Sequence, residues 1–150
     1  MQCKHNYLLV YSACAIMPQN DANSLDPTFR NYTAEQAETY ERNRGLPSSG
    51  VFEEILRFHA ARGGQLDTAL GVGCGTGQAT RSLARYFPHV VGVDPGDRMI
   101  AQARRLGGNA QGGKPIEYEV LGAEELDSSS VILPASVDLL TSQMAVGYLS

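Results

Sequence analysis

Gly71-Val72-Gly73-Cys74-Gly75-Thr76-Gly77 closes the strand candidate that starts at Leu66 and opens a helical pattern at residues 78–87. Glycines at every second position let a loop turn sharply and let the backbone press against a neighbour, because no Cβ stands in the way. A buried strand, a tight glycine loop and a helix start, in that order, make a seat for a ligand at the end of a parallel sheet. The kind of ligand depends on the glycine spacing and on the next acidic residue.

A dinucleotide fingerprint needs G-x-G-x-x-G. Counting from Gly71, Gly73 or Gly75, the sixth position is Thr76, Gln78 or Thr80, so no register fits. A P-loop needs a lysine after its glycines, and none occurs between Lys4 and Lys114. What remains is G-x-G-x-G at Gly73, Gly75 and Gly77, with Asp94 17 residues beyond, after the apolar run Val90-Val91-Gly92-Val93. A carboxylate there can accept hydrogen bonds from both hydroxyls of a ribose, each charge-assisted bond being worth roughly 1.5–3 kcal/mol. It can equally cap the turn Asp94-Pro95-Gly96. Cys74 suits a tight loop as a small packing residue, with no neighbouring base to make it a nucleophile.

The chain has 150 residues, 43% hydrophobic and 19% charged, which suits one domain with a core. Its net charge is −4 with no Lys/Arg cluster, which argues against a nucleic-acid surface. Cys3, Cys14 and Cys74 have neither disulfide nor zinc spacing. No apolar run approaches the roughly 20 residues of a membrane span. Lys4 and His5 precede a short apolar block at Tyr7-Leu8-Leu9-Val10-Tyr11, and Ala13-Cys14-Ala15 has the form of a cleavage site. That block is weakly hydrophobic, which favours another reading. In it, Met17 opens a polar leader of a cytoplasmic protein, and residues 1–16 are an extension without a structural role. A flexible leader is expected over 1–28.

Thr33-Ala34-Glu35-Gln36 has capping-box spacing and predicts a helix to Arg42 or Arg44, ended by Gly45. Leu46-Pro47-Ser48 is a turn, and a second helix spans about 51–61, with His59 at its face or rim. Strands are expected at 66–72, 90–93, 116–121 and 136–141, with helices at 78–87 and from Asp97, its cap, to Leu106. Met99, Ile100, Ala103 and Leu106 form the inner side of that last helix. The order predicts an α/β domain with a Rossmann-like parallel sheet, flanking helices and right-handed crossovers.

The run Ala69-Leu70-Gly71-Val72-Gly73-Cys74-Gly75-Thr76-Gly77-Gln78-Ala79-Thr80, followed by Val90-Val91-Gly92-Val93-Asp94-Pro95 and Met99-Ile100, resembles the class I S-adenosylmethionine-dependent methyltransferases. It is most similar to small-molecule enzymes like the fungal trans-aconitate methyltransferases. Tyr32 to Tyr40, Phe58-His59, Ala123-Glu124-Glu125-Leu126 and Ser136-Val137-Asp138-Leu139-Leu140-Thr141 also have counterparts there, so the resemblance covers about residues 29–149. It implies S-adenosyl-L-methionine as cofactor, a small-molecule methyl acceptor and methyl transfer by in-line displacement. It implies that Gly73, Cys74, Gly75 and Gly77 line the methionyl end, and that Asp94 binds the ribose. Met99, Ala123 (with Gly122) and Glu124 would border the adenine; Thr141 and Ser142 would face the transferred methyl. Tyr32 and Tyr40 would pack on their helix or close the pocket.

Three departures stand out. The family usually carries an acidic residue at the position of Gly71, where it helps orient the methionyl ammonium. Ala145-Val146-Gly147-Tyr148 replaces an Ala-Ala-His-Trp-type pattern near the substrate. The sequence ends at Ser150, so about four of the family's seven strands are expected, in a partial domain over 29–150. Strand four would then leave Val137, Leu139 and Leu140 poorly covered and an edge open to self-association. The alternative function is an inactive cofactor-binding or interaction module.

Overall fold

The structure, a computed structural model, describes residues 32–45 and 49–142. The leader, the turn at Leu46-Pro47-Ser48 and the segment Ala145-Val146-Gly147-Tyr148 lie outside the described residues. The elements run α1 (Ala34–Asn43), α2 (Ser49–Ala61), β1 (Thr68–Val72), α3 (Gln78–Leu83), β2 (His89–Asp94), α4 (Asp97–Leu106), β3 (Glu117–Val120), a 3-10 helix (Ala123–Ser128) and β4 (Leu139–Ser142).

The four strands form a parallel sheet in the order β3-β2-β1-β4. This parallel sheet with helices against it is the Rossmann-like arrangement expected, in the first half of the doubly wound order 3-2-1-4-5-6. The strands alternate between two apolar layers, as the period of two requires. Ala69, Val90 and Leu139 point to one layer, closed by Phe52, Ile55 and Leu56 of α2, Leu83 of α3, Phe87, and Ile100 and Ala103 of α4. Leu70, Val72, Val91 and Val93 point to the other, against Leu121 and the half-buried Leu126, Val131, Ile132, Val137 and Leu140. The segment from the 3-10 helix to β4 covers that second face. Leu139 is fully buried and Val137 and Leu140 are half-buried, so the expectation that all three would be poorly covered is wrong.

The capping box forms as read: Thr33 Oγ1 accepts from Gln36 N–H, and Gln36 Oε1 accepts from Thr33 N–H. Several local expectations need correction. α3 ends at Leu83 rather than residue 87; Tyr86 N–H turns back onto Leu83 O, which lets Phe87 drop into the core. Asp97 is the first residue of α4 and not its cap; that place falls to Gly96, with no side-chain cap. Leu106 is exposed, and Gln102 takes a buried place on α4 instead. His59 is buried, not at a rim: its Nε2 lies 2.7 Å from Gln65 O, against Gly64, where any Cβ would collide with the ring.

Candidate cofactor-binding site at the glycine loop

One row across the sheet sets the floor of the site. Thr141, Gly71, Gly92 and Tyr118 are paired in register on β4, β1, β2 and β3. A Cβ at Gly71 would stand 2.8 Å from Thr80 Oγ1. One at Gly92 would stand 2.9 Å from the Tyr118 ring and 3.0 Å from Cys74 Sγ. The two central glycines therefore let α3, Cys74 and the Tyr118 ring lie directly on the backbone.

Above this floor Gly73, Gly75 and Gly77 all have left-handed backbones, with φ of 62°, 55° and 83°. Only glycine adopts that conformation without cost. Gly77 is doubly constrained, because a Cβ there would sit 2.6 Å from Tyr118 Oη. The loop is tied to β2 at two points. Cys74 N–H donates to Val93 O at 3.0 Å, and Gly75 N–H donates to Asp94 Oδ2 at 2.8 Å. Asp94 Oδ1 accepts from Gly96 N–H at 2.8 Å. The turn cap is thus present, and the same carboxylate also clamps the glycine loop.

α1 lies over the loop. Glu41 Oε1 pairs with Arg81 Nη2 at 2.6 Å, and its Oε2 accepts from the Thr76 hydroxyl. Arg81 Nη1 donates to Thr76 O at 2.7 Å, while Gln78 Nε2 donates to Glu41 O and Arg44 O at 3.0 and 3.2 Å. Glu38 of α1 pairs with Arg105 of α4 at 3.0 Å. Tyr40 and Arg44 thereby face the loop and wall a narrow pocket with Gly71, Gly73, Cys74, Gly75 and Thr141. Tyr32 meets Tyr40 edge-on, with centroids 6.3 Å apart.

Gly73, Cys74, Gly75 and Thr141 thus share one pocket, and Asp94 is bonded to its loop. Thr141 is buried, its hydroxyl 3.4 Å from Leu70 O. Gly122 and the half-buried Ala123 follow β3 at the same end, where Leu121 N–H donates to Asp94 O at 3.1 Å; Glu124 is exposed beside them. Met99 is fully buried on α4 and does not line the pocket. The sequence reading missed Glu41, Thr76, Gln78, Thr80 and Arg81. Their one signal is the polar run Thr76-x-Gln78-x-Thr80 at a helix start that otherwise packs inward.

Burial pushes the Cys74 thiol well up, with the Asp94 carboxylate acting in the same direction, which disfavours the thiolate that a nucleophile needs. Burial likewise raises the Tyr118 phenol to about 12, against a smaller opposing effect of the nearby Arg81 cation. The phenol oxygen has no hydrogen-bond partner at bonding distance.

Comparison with known proteins matches residues 69–150 to a family model described as a methyltransferase domain. The chain belongs to the methyltransferase-domain family. The Saccharomyces cerevisiae protein named "Probable S-adenosylmethionine-dependent methyltransferase CRG1" is 31% identical to this methyltransferase domain over 118 residues, 77% of the chain and 38% of that protein. The Pestalotiopsis fici methyltransferase ptaI is 36% identical over 101 residues, 65% of the chain and 29% of that protein. A solved structure assigned to a type II methyltransferase of Anaeromyxobacter dehalogenans shares the fold at a TM-score of 0.53 and 30% identity, covering 71% of this chain and 39% of that one. The chain spans about two fifths or less of the length of these relatives.

Proposed function

We propose that this methyltransferase domain binds S-adenosyl-L-methionine at the glycine loop and serves methyl transfer to a small molecule. The observation that carries the proposal is the loop itself: three left-handed glycines clamped by a carboxylate from the end of the neighbouring strand. Bare backbone at Gly73 and Gly75, with Cys74 between them, fits close approach of a ligand. Buried polar atoms without partners, Gln78 Oε1 and Thr80 Oγ1, fit a ligand that brings donors. The cofactor, when bound, supplies an electrophilic methyl on a sulfonium.

In this proposal Gly73, Cys74, Gly75 and Gly77 hold the amino-acid end, and Asp94 takes the ribose hydroxyls. A carboxylate accepts at about four positions, so bonding the loop and the turn is compatible with that role. Ala123, Glu124 and Met99 border or support the base, and Thr141 faces the transferred group. The chain's contribution to rate is positioning, which can supply about 7–11 kcal/mol. A small acceptor accords with a net charge of −4 and no basic cluster. A cytoplasmic location accords with cysteines that lack disulfide spacing.

Isothermal titration of the full chain with S-adenosylhomocysteine tests this. Saturable binding with one site is expected; no heat up to millimolar ligand overturns it. A second reading, self-association through β4, is favoured by that strand pairing only with β1 among the described residues. Sedimentation showing a monomer at high concentration ends it.

A further inference from the structure

Among the described residues, two of the four buried polar atoms without a partner belong to α3, on residues two positions apart that both border the pocket. They are Gln78 Oε1 and Thr80 Oγ1, on residues 6% and 1% exposed. The orientation of the Gln78 amide is fixed by chemistry. Its nitrogen faces two carbonyls of α1, Glu41 O and Arg44 O, and only an N–H₂ group can satisfy both. Its oxygen is therefore left without a donor.

Thr80, two residues on, carries a second buried acceptor without a partner, on the Gly71 side. A helical threonine can bond back to the carbonyl four residues earlier. Thr80 Oγ1 makes no such bond, and Thr76 O accepts from Arg81 Nη1. The Thr80 hydroxyl occupies the space a side chain at Gly71 would need, 2.8 Å from its Cβ position. No carboxylate lines the pocket among the described residues; its one charged group is the Arg44 cation.

We propose that Thr80 Oγ1 and Gln78 Oε1 are the acceptors for the ammonium group of an amino-acid-bearing ligand, with Arg44 on the α1 side suited to that ligand's carboxylate. This rests on the cofactor reading given above, in which S-adenosylmethionine is that ligand. Two neutral acceptors, buried and preoriented, suit a cationic donor because charge-assisted bonds are about twice as strong as neutral ones. Gly71 follows as the residue that makes room for the Thr80 hydroxyl.

The test is calorimetric titration of the full chain with two ligands, S-adenosylhomocysteine and its deamino analogue, which keeps the carboxylate and lacks the amine. The wild-type chain should bind the deamino analogue at least tenfold more weakly, the equivalent of one such bond. Thr80→Val should weaken S-adenosylhomocysteine about tenfold and leave the analogue unchanged; Thr80→Ser should keep the discrimination. Equal affinity of the wild-type chain for both ligands overturns the ammonium seat while leaving the cofactor reading intact, and needs no variant to fold. Equal weakening of both ligands by Thr80→Val also overturns it. Binding of neither ligand by the wild-type chain overturns the cofactor reading, and the seat with it.

Discussion

The glycine-loop end of the sheet and the apolar layer beneath α2 and α4 are built from opposite materials. The layer holds Phe52, Leu83, Phe87, Ile100, Ala103 and Leu139, all buried and without polar side-chain atoms. The loop end holds Gln78, Thr80 and Ser142, and the Tyr118 ring reaches it from that layer; each carries a buried side-chain atom that lacks a partner. Such an atom costs about 1–3 kcal/mol. Among the described residues the unsatisfied groups are not scattered; they stand beside the loop, on α3, on β3 with its Tyr118 ring against Gly77, and at the end of β4. The dry layer supplies stability, and the loop end keeps polar groups ready at a stability cost.

Replacing Gly77 puts the greatest strain on this contrast. Gly77→Ala combines a left-handed backbone with a Cβ 2.6 Å from Tyr118 Oη, and should cost about 2–4 kcal/mol in urea unfolding. Gly112→Ala, at φ 90° with nothing within 4 Å, should cost only about 1 kcal/mol. Equal costs would mean that the loop end is no more tightly built than an ordinary turn.

Tyr118 sharpens the same contrast through pH. Its phenol is raised by burial to about 12 from an ordinary 10, so the unfolded chain loses this proton first as pH rises. Stability from this group is fully present below about pH 10 and is lost as pH climbs through about 12, by about 2–3 kcal/mol in all. Tyr118→Phe should be close to neutral at pH 7, since it removes an unpartnered hydroxyl, and should flatten that alkaline decline. Denaturation midpoints from pH 8 to 12 check it; a parallel decline in the variant would remove Tyr118 as the cause.

Glu41→Gln should cost about 1–2 kcal/mol, because its pair with Arg81 is partly buried, between the exposed and fully buried extremes. Hydrogen exchange should then speed up in α1 more than in α4. Unchanged exchange in α1 would show that Glu41 does not hold it over the loop.

Much of this was legible in residue order. The continuous apolar run Val90-Val91-Gly92-Val93 marked a strand buried on both faces, and the glycine register excluded the phosphate-binding loops. The shortened α3 and the burial of His59 were not legible, because each depends on what packs against it. Phe87 leaves the helix to reach the core, and His59 finds Gln65 O and Gly64.

The sequence alone determined the strand–loop–helix unit, the sharp glycine turn and the family, because these rest on residue types a few positions apart. Tertiary structure decided what the site is made of. Asp94 reaches Gly75 across 19 residues, and Glu41 reaches Thr76 and Arg81 across 35 and 40. Local periodicity carries no record of such partners: a side chain's neighbours across a fold are set by sheet register and helix placement, and these form only when the chain closes on itself.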